Sequence, residues 1–155
     1  MNVIDHIYDI PLFEGLPKGQ HEALARIAVN RSYKKGQIIF SEGDDGIGFY
    51  VIISGRIKIF KLSPDGKEQI LHIFGPTETF GEVPVFTGHG YPAYAEAYTQ
   101  SSLLFFPKNE FVELIKKDPI HEWFIPNLRN GIVANAPSNS RGKEYNDAIA
   151  AYATK

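Results

Sequence analysis

The chain has 155 residues, of which 43% are hydrophobic and 13% aromatic, and this is enough for one domain with a substantial core. Its 16 basic and 18 acidic residues give a net charge of -2, so overall charge would not hold it on nucleic acid or an anionic membrane. The sequence contains no cysteine, which excludes disulfides, thiolate metal sites and a cysteine nucleophile.

The first thirty residues predict short helices. Apolar residues recur at helical spacing before Pro11 and again over residues 17–30, where Leu24 and Ile27 share a face. Asp5 and Asp9 stand where a secretory signal would need a basic start and an unbroken apolar run. No apolar run reaches the length of a membrane span. We therefore expect a cytoplasmic protein with no membrane contact.

Between residues 32 and 107 the sequence changes to short runs rich in isoleucine, valine, phenylalanine and tyrosine, each closed by a glycine or a turn. Ser63-Pro64-Asp65-Gly66 is such a turn, because proline presets φ and glycine accepts a positive φ. A spacing of about ten residues fits an all-β roll. The predicted strands are residues 37–40, 49–53, 56–62, 68–74, 93–99 and 103–106.

One of these runs alternates between cations and isoleucines. The alternation places Ile57 and Ile59 on one face of a strand and Arg56 and Lys58 on the other. We interpret the cationic face as solvated rather than as a binding patch, because charged side chains are mostly exposed. After Pro107, residues 108–117 predict a helix with Phe111 on its apolar face.

Residues 36–86 contain several short elements in a fixed order, which is more specific than any one of them. This series resembles the effector domain of the Crp/Fnr transcription regulators, the cyclic-nucleotide-binding fold. The resemblance covers roughly residues 10–120 and implies a mainly β fold with flanking helices, a double-stranded β-helix or jelly-roll-like β-roll. The elements are Gly36, Glu42-Gly43-Asp44, Phe49-Tyr50, Ser54-Gly55, Asp65-Gly66-Lys67-Glu68 and Phe80-Gly81-Glu82.

The resemblance also divides the chain. Residues 1–119 would form the effector domain, with the roll at about 32–107, and residues 120–155 an irregular, partly helical tail interrupted by Pro126 and Gly131. In the family a helix-turn-helix domain follows the roll, and the tail is too short to hold one. We expect no DNA binding by this chain alone. The sequence is compatible both with a homodimer and with a protein partner that binds through the tail.

A ligand site follows from the same resemblance. In the family a short helix begins at the Gly-Glu pair and its free amides hold a cyclic phosphate. Gly81 and Val83 would supply amides here and the Glu82 carboxylate would contact the ribose; alternatively, Gly81 and Glu82 only form a tight turn. The implied ligand-binding residues are Leu71, His72, Phe80, Gly81, Glu82, Val83, Tyr91, Pro92 and Ala93.

The sequence departs from the family at Tyr91. Cyclic-nucleotide binders carry an arginine there, which pairs with the phosphate, and residues 83–107 contain no lysine or arginine. Tyr91 would place its ring over the phosphate site and offer one neutral hydroxyl. Tight binding of cyclic AMP is therefore not expected.

Replacement of that arginine also resembles the Fnr-like and haem-responsive branches of the family. His72 and His89 are weak candidates for haem ligands, and the alternative is that they are a histidine in the pocket wall and a solvated loop histidine. No His-x-His, Walker or Gly-x-Ser-x-Gly motif is present, so we expect no enzyme. The predicted function is a small-molecule-sensing domain, for a cyclic-nucleotide-like effector, of a Crp/Fnr regulator or a stand-alone derivative. The alternatives are a structural or partner-binding roll with no small-molecule ligand and a haem-dependent gas sensor.

Overall fold

The computed structural model describes residues 3–10, 13, 18–82 and 90–117. The predicted tail of residues 120–155, Val83 and His89 lie outside the described residues. No helix of the described part is long and apolar enough to cross a membrane. The elements in chain order are α1 (Val3–Tyr8), α2 (Lys18–Ile27), β1 (Val29–Tyr33), β2 (Ile38–Phe40), β3 (Gly48–Ser54), β4 (Ile57–Leu62), β5 (Glu68–Phe74), β6 (Thr79–Phe80), β7 (Tyr94–Ala97), β8 (Ser101–Pro107) and α3 (Lys108–Lys117).

The strands form two four-stranded sheets that face each other. Sheet A has the order β1-β8-β3-β6, and sheet B has the order β2-β7-β4-β5. The strand pairs within both sheets are antiparallel. The predicted mainly β roll with flanking helices is therefore confirmed.

Strand β3 is buried on both faces because it lies between two apolar layers. Its inward residues Tyr50 and Ile52 join the core between the sheets. Its outward residue Phe49 stacks on Phe106 at 5.0 Å and meets the edge of Phe111 from α3 at 4.8 Å. Helix α3 thus packs on the outer face of sheet A at β3 and β8, which explains the continuous apolar run in β3.

Two strands were not predicted from the sequence, and several others differ from the predicted bounds by one or two residues at their ends. Strand β1 begins at Val29, in a stretch predicted to be helical, and β6 is only two residues long. The sequence 29–33 is mostly polar and half exposed, so apolar periodicity does not reveal it; its backbone pairs with β8 along five residues. Helix α3 has the predicted bounds.

The prediction of a solvated cationic face on β4 is wrong for Lys58. This residue is only 8% exposed, and its Nζ lies 2.5 Å from Glu68 Oε1 and 3.3 Å from Glu96 Oε2. Both carboxylates come from the strands that flank β4: Glu96 on β7 is the register partner of Lys58, whereas Glu68 on β5 pairs with Leu62 further along β4. The hydrogen bond that Lys58 donates to Glu68 is the main cause that raises the pKa of Lys58 above its ordinary value of 10.5. Lys58 therefore joins β5, β4 and β7.

Candidate functional site

The candidate site begins where the chain leaves β6 at Gly81. This residue has a φ of +77°, a conformation that side chains with a Cβ rarely adopt. A Cβ at this position would lie 3.1 Å from the ring of Phe40, 3.4 Å from that of Tyr50 and 3.5 Å from that of Tyr91. Glycine is therefore favoured here by the backbone conformation, and a Cβ would in addition be in tight contact with the Phe40 ring.

Tyr91 is the most firmly held of the predicted site residues. It is 2% exposed, and its ring is stacked on Phe40 with a centroid distance of 3.8 Å. Its backbone N–H donates to the Asp44 carbonyl at 2.9 Å, and its own carbonyl accepts from the Gly43 N–H at 2.8 Å. Its hydroxyl donates to the Gly48 carbonyl at 2.8 Å. The hydroxyl that was expected to face a ligand instead donates its hydrogen bond to the backbone inside the roll.

Two buried tyrosines next to Gly81 are neutral. Burial is the main cause that raises the pKa of Tyr91 above its ordinary value of 10.0. Burial also raises the pKa of Tyr50, and the neighbouring hydroxyl of Tyr91 adds to the shift. Neither phenol carries a charge near neutral pH, so the rings around Gly81 form an apolar wall with hydroxyls that are not ionised.

The other side of the site is the edge strand β5. His72 pairs across the sheet with Ile59, whose side chain packs against the core, so His72 lies on the inner face although it is exposed. Its ring is 4.3 Å from that of Phe74, which in turn stacks on Phe80 at 6.1 Å. Aromatic contacts therefore lead from the open edge of the roll to the residues beside Gly81.

The structure brings only some of the predicted ligand residues together. Phe80, Gly81 and Tyr91 share one cluster, and Pro92 and the buried Ala93 follow Tyr91 into β7. Leu71 lies at an irregularity in the β4–β5 pairing and is 38% exposed, and Glu82 is half buried.

The described residues add no support to the candidate haem ligands His72 and His89. His72 is exposed on β5, and His89 lies outside the described ranges. In the part of the chain that the structure describes, no three His, Asp or Glu side chains come together as a metal site would require.

Three residues of the site were not predicted. Phe40, Tyr50 and Phe74 supply most of the ring surface around Gly81 and His72. Phe40 lies two residues before Glu42 of the Glu-Gly-Asp turn, and Tyr50 belongs to the Phe-Tyr pair, so the motif order indicated a place for both. Phe74, which pairs with Ile57, belongs to none of the motif elements of the resemblance, so the sequence did not indicate its place in the site.

Comparison with known proteins agrees with this architecture. The chain is 37% identical over 75 residues to the CRP-like cAMP-activated global transcriptional regulator of Mycobacterium tuberculosis, covering 48% of this chain and 34% of that protein. It is 31% identical over 110 residues to the cyclic AMP receptor protein of Thermus thermophilus, covering 71% of this chain and 51% of that protein. The chain thus spans about a third to a half of the length of these curated relatives.

A solved structure shows the same fold over most of the chain. The sensor domain of the transcriptional regulator DNR from Pseudomonas aeruginosa superimposes with a TM-score of 0.71 at 27% identity, covering 84% of this chain and 88% of that one. The family model of the cyclic nucleotide-binding domain matches residues 30–118, which is 89 of the 155 residues. The chain therefore belongs to the cyclic nucleotide-binding domain family, of the type found in Crp/Fnr regulators.

Proposed function

We propose that this chain is a small-molecule-sensing module of Crp/Fnr type that binds its effector against Gly81, Glu82 and the inner face of β5. Family membership supports a binding role, and the relatives named above are regulators rather than catalysts. The exposed His72 and the half-buried Glu82 give this region groups that can hydrogen-bond to a ligand.

The effector is not cyclic AMP bound tightly in the manner of the family. The observation that carries this is the placement of Tyr91, whose ring fills the space beside Gly81 and whose hydroxyl donates to Gly48. By resemblance, an arginine at this position pairs with the phosphate. Loss of one partner from a buried charge pair costs about 2–5 kcal/mol, which is roughly a 30-fold to several-thousand-fold loss of affinity.

The module would pass its signal to another part of a regulator or to a protein partner. With a net charge of -2, we expect this chain alone to show no salt-dependent affinity for double-stranded DNA. A mobility-shift titration at several salt concentrations tests this. Sequence-specific retardation by the chain alone would contradict the proposal.

The effector is tested by titration calorimetry and thermal shift with cyclic AMP, cyclic GMP and haem, because a ligand that binds only the folded state must stabilise it. We expect at most weak binding of cyclic AMP, and a shift with another compound that is lost in Glu82→Gln or His72→Ala. Glu22→Gln, on the exposed side of α2, is the matched control and should behave as wild type. Micromolar binding of cyclic AMP by wild type would overturn our account of Tyr91.

One observation favours a second candidate, a structural or partner-binding roll without a small-molecule ligand. The rings of Phe40, Tyr50, Phe80 and Tyr91 already fill the core around Gly81. The same titrations with cyclic AMP, cyclic GMP and haem distinguish between the two functions. A thermal shift with none of the compounds would favour the filled roll.

A further inference from the structure

Arg31 is a charged residue on the inner side of the roll. Its register partner on β8 is Leu103, and Leu103 pairs in turn with Ile52 on β3. Leu103 and Ile52 both belong to the core between the sheets, and residues paired across antiparallel strands share a face. Arg31 therefore points inward from the edge strand of sheet A, and Tyr33, two residues on, points the same way.

The guanidinium of Arg31 is fixed over an aromatic ring. Its Cζ lies 4.0 Å from the centroid of the Phe105 ring, and Phe105 is almost fully buried. A guanidinium stays charged at all relevant pH values, and stacking on a ring orients it without neutralising it. The planar donors are thus held at the open edge between β1 and the interior.

This charge has no anionic partner among the described residues. The ion pairs found there belong to Lys58, Lys61 and Lys67. Asp44, which lies near Tyr91, accepts a hydrogen bond from the Ser41 N–H at 3.0 Å and forms no pair with Arg31.

The nearby phenols do not supply the missing charge either. Arg31 lies within electrostatic reach of both Tyr50 and Tyr91, but burial raises the pKa of each phenol above its ordinary value. Both therefore stay neutral near pH 7. A half-buried guanidinium without a counter-charge keeps donors that an anion from solution can reach.

We propose that Arg31, together with the hydroxyl of Tyr33, forms a subsite for a small oxyanion at the β1 edge of the roll. The ligand class is a carboxylate or a phosphate, because the guanidinium fork matches two oxygens of either group. The hydroxyl of Tyr33 is near that of Tyr50 and half exposed, so it is placed to add a neutral donor from the same face of β1.

This subsite is distinct from the region around Gly81. Arg31 contacts Phe105, whose ring is 4.9 Å from that of Tyr50, and Tyr50 is the residue that meets Gly81. The rings of Phe105 and Tyr50 lie between Arg31 and Gly81 on this path, and the ring of Tyr50 lies between Tyr33 and Gly81. The proposal does not depend on the proposed function. An inward charge on an edge strand can also serve only to prevent pairing with another chain, and that role predicts no anion binding.

The test is an NMR titration of the full chain, with amide and arginine Nε resonances assigned. Inorganic phosphate and acetate are the probes, and chloride at the same ionic strength is the reference, because general salt effects act on every protein. We expect saturable shifts centred on Arg31 and Tyr33 with at least one probe. Arg31→Gln should weaken binding by about tenfold or more, Arg31→Lys by less, and Arg56→Gln, an exposed arginine before β4, not at all.

Several results would overturn the subsite. One is the absence of a saturable response in wild type, which requires no variant to fold. Another is an equal response in Arg31→Gln and wild type. Shifts confined to Gly81 and Glu82 would assign the anion to the other site and would leave the proposed function intact.

Discussion

The rings of Phe40 and Tyr91 are stacked within 8° of parallel, with their centroids 3.8 Å apart. Phe40 ends β2 and Tyr91 lies just before β7, the strand that pairs with β2. The stack therefore closes the end of sheet B beside Gly81. Because Tyr91 is also bonded to Asp44 and Gly48, it ties the loop before β3 to the start of β7.

Tyr91→Phe should reveal the contribution of the Tyr91 hydroxyl to stability separately from that of the ring stack. The variant keeps the ring on Phe40 but leaves the Gly48 carbonyl without its donor, so we expect a loss of about 1–2 kcal/mol of stability. Urea denaturation measures it. Tyr98→Phe, which removes an exposed hydroxyl, should change stability by less than about 0.5 kcal/mol. An equal effect of the two substitutions would mean that the Tyr91 hydroxyl contributes nothing.

Gly81→Ala should destabilise the roll through both backbone strain and a contact with Phe40. The positive φ alone costs about 1–2 kcal/mol for alanine, and the new Cβ would lie 3.1 Å from the Phe40 ring. Gly66→Ala is the matched control, because Gly66 has a φ of +84° and no atom within 4 Å of the added Cβ. Chemical denaturation should show a greater loss at Gly81.

A double-mutant cycle tests the contact between the added Cβ at position 81 and the Phe40 ring. Phe40→Leu shortens the side chain that the Cβ of Gly81→Ala would meet, so the two substitutions together should cost less than the sum of their separate effects. Strict additivity, or an equal loss at Gly66 and Gly81, would show that backbone strain accounts for the whole effect.

The fold was predictable from the sequence because motif order and turn chemistry act over short distances. Strand β5 and helix α3 have the predicted bounds. Strand β1 was not predicted because its residues are polar and its pairing partner β8 lies some seventy residues further on, as in the pair Arg31 and Leu103. Backbone hydrogen bonds to a distant strand leave no periodic signal.

The sequence indicated part of the candidate site but not the orientation of its side chains. The resemblance located Gly81 and Tyr91, and the structure has them adjacent. The direction of the Tyr91 hydroxyl depends on the Gly48 carbonyl, which is 43 residues away in sequence. Lys58 shows the same limit, since alternation cannot reveal that Glu68 and Glu96 flank it from two other strands. Tertiary contacts determine both side chains.

The Lys58 cluster should respond differently to loss of its anions and loss of its cation. Glu68→Gln with Glu96→Gln leaves a nearly buried ammonium unpaired, and we expect a loss of about 1–3 kcal/mol. This is less than for a fully buried pair, because the Glu68 side chain is 42% exposed and solvent screens it. Lys58→Met keeps the length of the side chain without the charge and should cost less than about 1.5 kcal/mol.

Glu42→Gln is the control for this cluster. Glu42 pairs with Lys61 at 3.7 Å, and both side chains are exposed, so its loss should be close to zero. Thermal and urea unfolding of all the variants measure these effects. If Lys58→Met were more destabilising than the double glutamine variant, the ammonium itself would be the stabilising group and this account would be wrong.

The stability of the protein should decline in alkaline solution and be insensitive to pH just below that range. Lys58, Tyr50 and Tyr91 each have a pKa that is raised in the folded state, through the Glu68 hydrogen bond for Lys58 and through burial for the phenols. The folded protein therefore holds these protons at pH values where the unfolded chain releases them. Their contribution to the free energy of unfolding is fully present below the ordinary pKa values of 10.0 and 10.5 and is lost as the pH rises through the folded-state values.

Urea denaturation between about pH 8 and pH 11 measures the decline. Tyr91→Phe removes one of these protons, so its stability should fall less steeply than that of wild type, whereas Tyr98→Phe, an exposed control, should follow wild type. A decline of equal slope in wild type and Tyr91→Phe would show that the Tyr91 phenol does not contribute to it.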